Sequence, residues 1–467
     1  MMSSLRRLPE WVTSWGVPSS VRSQFWSASG AEPCDHSCWP QPLQWQDVPT
    51  HQHMTRPIAI PPASAEDLRA LPKAEDQLMW TVDDKIVGHR NMNVIFASAT
   101  VAAGDAPFPL PRAQPVDVSY CYDGARRGVP DFFKRTNATG LLVIKGGQIV
   151  LERYDRGYTE ASAGSSRSMA KTFTGVLVGL AVNDGHISNV EDRVPKYLPE
   201  LAGTLYSDVS VKQLMQMTSG VPYREDPADP TSDLHSLHGC LVKMQKDCLL
   251  PFLKELSSRK VPREQAGSTF SYSTADAVLA GILVERATGE PAAAYLSRRL
   301  WIPFGMEADA YWNVEAPGGH VFGGSGFGAT LRDYGRFGLY LLRGGVLPDG
   351  RQTLPAGWMK EALTPSPASV KAGFPYGYHL WLHEGNGARG VGLAVDEAMG
   401  SPQPISMPGG NSTFYALGNS GQVLLMNPAE GVVIAKWAAW DNASDERPLK
   451  NEDMVFFSAV VETLQTG

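Results

Sequence analysis

The chain has 467 residues, 43% of them hydrophobic and 19% charged, with a formal net charge of −7 at pH 7. A chain of this size buries a large core, read as one α/β (α+β) unit with a helical layer and a leader. Its acidic balance argues against nucleic acid or an anionic membrane as the main partner, and five cysteines, few and odd in number, suit a reducing cytoplasm better than a disulfide framework.

Residues 1–74 read as an N-terminal extension, rich in Ser, Pro and Trp, either poorly structured or wrapped on the surface. No apolar run follows Arg6-Arg7, so no secretory signal is read. Cys34, His36 and Cys38, with His51 and His53, match no common zinc spacing, so no metal is expected. Met54 is an alternative start. The body is taken as 75–467.

Leu141-Leu-Val-Ile144 and Gln148-Ile-Val-Leu151 flank Gly146-Gly147, which predicts a β-hairpin. Ser168-Met-Ala-Lys171 then opens a helical run apolar on nearly every side, which Asn183-Asp-Gly185 stops. Positions i and i+3 share a helix face, so the Lys171 amine can reach the Ser168 hydroxyl. Burial lowers the affinity of an amine for its proton, which makes Lys171 a candidate base for a Ser168 nucleophile. Gly175 and Gly179 leave room for another element to pack closely. The same spelling recurs at Ser257-Ser-Arg-Lys260, but in a polar, Pro-flanked stretch with no apolar helix behind it.

The acidic segment from Arg224 to Asp233, followed by His235 and His238, reads as a solvated loop before it reads as a substrate mouth. Glu225, Asp226, Asp229 and Asp233 are its carboxylates, and nothing singles one out. Tyr272 stands just before a second helix, striped by Val278, Leu279, Ile282 and Leu283, capped by Ser273 or Thr274 and ended at Gly289. A tyrosine at that entrance can shuttle a proton, although most tyrosines are simply half-buried aromatics. Thr330 to Asp333 spells a capping box. Trp381, Tyr376 and Tyr378 suit a pocket wall or ordinary core equally well. Late in the chain, 422–426 and 432–436 predict a second hairpin, with a closing helix over 454–464. A Ser-His-Asp triad is disfavoured, because Gly324-Ser-Gly326 is too short for a nucleophile elbow.

Ser168-Met-Ala-Lys171 followed by Tyr272-Ser-Thr274 resembles the first two motifs of the serine β-lactamase and penicillin-binding-protein superfamily. Five further stretches, 198–203, 213–220, 267–272, 323–333 and 418–428, resemble its esterase-like branch, most of all the 6-aminohexanoate-dimer hydrolases and related carboxylesterases. The resemblance implies an antiparallel sheet flanked by helices, built from about 137–165 and 405–467, beside an all-helical lobe. It implies an oxyanion hole from the backbone N–H groups of Ser168 and Asn419. Asp229, His238, Trp381 and Gly418 become candidates for substrate contact. The expected activity is cleavage of a small ester or amide through an acyl-enzyme, without cofactor, by a cytoplasmic protein, and the resemblance alone implies a homodimer.

Two departures matter. Thr274 stands where the penicillin-recognising branch has Asn, and Tyr415-Ala-Leu-Gly418 lacks that branch's cationic third motif. The second departure argues for a neutral substrate and against a β-lactamase or D,D-peptidase. A non-catalytic binding protein of the same fold is a further alternative, disfavoured because such a module needs neither Ser168, Lys171 nor Tyr272.

Overall fold

Leu141-Leu-Val-Ile144 is apolar at four successive positions, so as a strand it must bury both of its faces. In the computed structural model, which describes residues 59–383, 407–441 and 446–466, it does so. Leu142 and Ile144 enter one hydrophobic core, Leu141 and Val143 another. Leu424, Met426, Val433 and Ala435 join the first core, while Val423, Leu425, Val432 and Ile434 join the second. A single sheet therefore divides the interior in two.

In chain order the strands are β1 (Ser98–Val101), β2 (Ser119–Tyr122), β3 (Ala125–Gly128), β4 (Ala138–Lys145), β5 (Gln148–Tyr154) and β6 (Gly164–Ser165). They continue as β7 (Ala310–Asn313), β8 (Phe327–Ala329), β9 (Trp381–Leu382), β10 (Phe414–Gly418), β11 (Gln422–Asn427) and β12 (Val432–Ala438). The main sheet has six strands in the order β5-β4-β12-β11-β10-β9, and its pairings are antiparallel. Both predicted hairpins form within it. Gly146 and Gly147 take φ of 57° and 83°, the left-handed conformation a tight two-residue turn requires. Five of its strands come from 138–154 and 414–438, while β9 comes from the stretch read as helix and loop, and β4 lies against β12 through the pair Lys145↔Val432.

The principal helices are α1 (Val82–His89), α2 (Val129–Thr136), α3 (Ala170–Asn183), α4 (Asp233–Val242), α5 (Leu249–Ser258), α6 (Thr274–Thr288), α7 (Leu331–Leu342) and α8 (Glu446–Thr466). Two glycines let α7 lie close on one face of the sheet: side chains at Gly335 and Gly338 would meet Ile144 and Val433 at 2.7 and 2.5 Å. The other face is covered by α8, where Phe456 stacks on Phe132 of α2 with centroids 3.9 Å apart.

The structure refines several expectations. The stretch between Thr172 and Leu382, read as helix and loop, also supplies β7 and β8, which join β1 and β6 in a second, four-stranded sheet. The closing helix starts eight residues earlier than the predicted Met454, at Glu446. The Cys/His cluster of the leader lies outside the described residues. The reading of the cysteines is corrected, because Cys240 and Cys248 form a disulfide. They face each other where the short connection from α4 to α5 turns back, so the cysteine count carries no argument about compartment. Among the described residues, no helix is long and apolar enough to cross a membrane.

Candidate active site

Ser168 sits on a tight 3-10 turn, Arg167–Met169, that runs directly into α3. The turn is strained: Arg167, a non-glycine residue, has φ of 48°. Such strain costs about 1–3 kcal/mol and persists where the surroundings enforce it. Here the backbone N–H of Arg167 is held by the Ser165 hydroxyl, and the backbone N–H of Ser166 by the Phe327 carbonyl of β8. Phe173, one turn further along α3, is clamped between Phe327 and Phe337 at centroid distances of 4.2 and 3.8 Å. The second sheet and α7 thus fix the start of α3.

One turn after Ser168, the Lys171 side chain points back along the same face. Its Nζ lies 3.1 Å from Ser168 Oγ, 3.1 Å from Thr274 Oγ1 and 2.8 Å from the Gly324 carbonyl oxygen. Burial brings the Lys171 amine down to about 8; the Glu225 carboxylate opposes that shift and the Arg167 cation reinforces it. Near neutral pH a usable fraction of Lys171 is therefore an uncharged base.

Tyr272 arrives from the entrance of α6, whose N-cap is Ser273, with its Oγ accepting from Asp276 N. Its ring centroid lies 4.7 Å from Lys171 Nζ. Burial holds the phenol far above the ordinary tyrosine range; the Glu225 charge adds to this, and a hydrogen bond with Ser168 pulls against it. At neutral pH Tyr272 is a proton donor and not a tyrosinate. Trp381 stacks on its ring with centroids 5.6 Å apart, and Tyr376 meets it edge-on at 6.2 Å.

The far side of the site comes from the end of β10. A Cβ on Gly418 would stand 2.5 Å from the Ser166 carbonyl oxygen and 2.9 Å from Arg167 Cβ, so only glycine lets the strand come this close. The next residue, Asn419, accepts a hydrogen bond at Oδ1 from Arg167 Nε, 2.8 Å away. The residues expected to frame an oxyanion thus lie on two adjoining turns.

The remaining sequence candidates separate. Trp381 and Gly418 border the Ser168 cluster, but Asp229 does not: it pairs with Arg224 at 2.8 Å and accepts from Thr231 within its own loop. His235 binds the Pro227 carbonyl, and Tyr378 donates to Glu361. His238 is buried against Phe96, with burial driving its imidazole down to about 3, so it is neutral. Ser257 donates to the Leu253 carbonyl inside α5, which leaves the second Ser-x-x-Lys with a structural role.

Sequence reasoning passed over three groups. Glu225, one of four loop acids, is buried with its oxygens 2.7 and 2.6 Å from the Thr274 N and Oγ1. The Gly324 carbonyl has no sequence signal at all. Arg167 is a buried cation with no carboxylate within 4 Å among the described residues, and its Nη1 has no partner. Standing beside Ser168 in sequence was its only signal.

With this geometry in view, comparison with known proteins is decisive about ancestry. The Beta-lactamase family model matches residues 129–455, which include every residue of the cluster. The chain belongs to the beta-lactamase family. Within it, a 6-aminohexanoate-dimer hydrolase from Paenarthrobacter ureafaciens is 28% identical over 337 residues, 70% of this chain and 80% of that one. Penicillin-binding protein 4* of Bacillus subtilis is 27% identical over 183 residues, 37% of this chain and 38% of that one. Among solved structures, a Bacillus anthracis protein provisionally named a 6-aminohexanoate-dimer hydrolase superposes with a TM-score of 0.68 at 21% identity, covering 82% of this chain and 95% of that one. The family fold expected from the motifs is therefore the fold of this chain.

Proposed function

We propose that this beta-lactamase-family protein is a serine hydrolase of small linear amides or esters, acting through an acyl-enzyme on Ser168. One observation carries the reading: the Lys171 amine is buried, is turned toward its neutral form and lies 3.1 Å from the Ser168 hydroxyl. In the first step Ser168 Oγ bonds to the substrate carbonyl carbon while its proton passes to Lys171. The carbonyl oxygen takes up negative charge opposite the backbone N–H groups of Ser168 and Asn419. Tyr272 donates a proton to the departing nitrogen or oxygen and is reprotonated from Lys171. Water then adds to the acyl carbon, giving up its proton through the same groups as the bond to Ser168 breaks. The scheme calls on no metal or organic cofactor.

The linear substrate class is supported by likeness to the Paenarthrobacter enzyme across most of both chains. The strand beside the site, Tyr415-Ala-Leu-Gly418, offers no cation to a penicillin or D-Ala carboxylate. The rival β-lactamase or D,D-peptidase reading has one observation in its favour, the Arg167 cation, which is bonded to Asn419 and has no carboxylate partner among the described residues. Nitrocefin turnover separates the two.

The test is intact-protein mass after brief exposure to a fluorophosphonate. One adduct, present in wild type and Ser257→Ala and absent from Ser168→Ala, is the expected result. An adduct that survives in Ser168→Ala assigns the wrong serine, and none in wild type supports the non-catalytic alternative.

A further inference from the structure

A neutral amine has two hydrogens and one lone pair, and it serves as a base toward Ser168 only when that lone pair faces the serine. Three oxygens surround Lys171 Nζ: Ser168 Oγ, Thr274 Oγ1 and the Gly324 carbonyl. The carbonyl can only accept. A threonine hydroxyl can do either, and if it donated to Nζ it would occupy the lone pair and disable the base. Glu225 removes the choice. Its Oε1 lies 2.6 Å from Thr274 Oγ1 and its Oε2 lies 2.7 Å from Thr274 N, a two-point grip on one residue. Burial raises the Glu225 carboxyl, while Lys171 and the two Thr274 hydrogen bonds favour its charged form. In that form it only accepts, so the Thr274 proton is committed to Glu225, and toward Lys171 the hydroxyl can only accept.

We propose that Glu225 is a positioning residue that fixes the hydrogen-bond polarity of Thr274, so that both hydrogens of neutral Lys171 are taken up and its lone pair is left on Ser168. This rests on Ser168 being the nucleophile. It also accounts for the threonine in place of the expected asparagine. An asparagine oxygen accepts by its own nature, whereas a threonine needs a buried carboxylate to make it do so. Glu225 is 5% exposed, so its grip on Thr274 is made in the interior of the protein.

The experiment uses the full chain and an activated ester. Glu225→Gln keeps the size but lets Thr274 turn either way, and kcat should fall at least tenfold with KM changed less than threefold. Glu225→Gln/Thr274→Asn should regain at least tenfold of that loss, because the amide oxygen restores an obligate acceptor without the carboxylate. A residue needed only for packing would not be rescued by a change at its neighbour. The pH profile supplies a second readout that a single folded variant suffices to give. Glu225, Arg167, Tyr272 and His379 are the titratable groups facing Lys171. Glu225 holds the amine up and Arg167 pushes it down, so Glu225→Gln should move the acid limb of kcat/KM to lower pH while lowering the plateau.

Unchanged kcat in Glu225→Gln overturns the proposal. So does a folded double variant that recovers nothing, or an acid limb that stays in place. Fluorophosphonate labelling of wild-type Ser168 alongside any of these results leaves the hydrolase reading standing and removes only the role of Glu225.

Discussion

Gly418 lies so close to the turn bearing Ser168 that a side chain on it would stand 2.5 Å from the Ser166 carbonyl oxygen. That gap sets how near the end of β10, and with it Asn419, comes to Ser168.

Gly418→Ala must push the strand and the turn apart, because the obstructing atom is backbone and cannot rotate away. Its φ of −125° suits alanine, so the cost is one of space. Displacing catalytic groups by about 1 Å costs on the order of 100-fold in rate. The expected outcome is a loss of that order in kcat, measured beside the melting temperature, with the protein still folded.

Lys171 as base requires the neutral amine. With its folded pKa brought down to about 8, the active fraction grows as pH rises, so kcat/KM should climb through pH 8 and level off above it. Lys171→Arg cannot deprotonate in this range and should abolish the reaction. A rate that falls as pH rises from 7 to 9 would contradict the assignment.

Arg167 is charged, buried and without an acid partner among the described residues, an arrangement that costs stability while anchoring Asn419. Arg167→Met should therefore separate the two properties. Turnover is expected to fall at least tenfold as Asn419 loses its anchor, while the melting temperature holds or rises. Equal losses in both would mean that Arg167 serves folding alone.

The Cys240–Cys248 bond closes a short loop, with the two cysteines eight positions apart in sequence. Loop-closure entropy for so small a ring is worth roughly 2–3 kcal/mol. Cys240→Ser/Cys248→Ser should lower the melting temperature by several degrees and, since neither residue touches the Ser168 cluster, leave kcat near wild type. Melting scans of the variant against the oxidised parent check this.

What the sequence disclosed and what it withheld follow from how local each signal is. Ser168 and Lys171 lie one helical turn apart, so their meeting is a matter of helix geometry. Leu141 to Ile144 announces a strand because four apolar positions in a row leave no face for water. Glu225, in contrast, shares its composition with the Asp226, Asp229 and Asp233 around it. Only the route of the chain decides which carboxylate turns inward to Thr274 and which, like Asp229, stays with an arginine at the surface. The β7–β8 pairing was hidden for a related reason. Tyr311 and Gly328, paired across these strands, are joined by a long connection whose Pro317-Gly-Gly319 and Gly323-Gly324 signal turns without saying which strands meet. Arg167 looked like any surface arginine next to a serine, because nothing in a string of letters reports that a guanidinium is enclosed.

The order of strands in the main sheet also sets a timetable. β4 leaves the ribosome early with an open edge, and the strand that closes it, β12, is made only after α3, α6 and α7 have been synthesised. Ser168 and Lys171 can be brought together once β8 and α7 hold the start of α3, while Asn419 must wait for the later hairpin of β10 and β11. The nascent chain therefore carries the proposed nucleophile and base before it has the turn proposed to support charge on a substrate. Through that interval the apolar edge of β4 stands unpaired, a risk that folds dominated by distant pairings carry and local ones avoid.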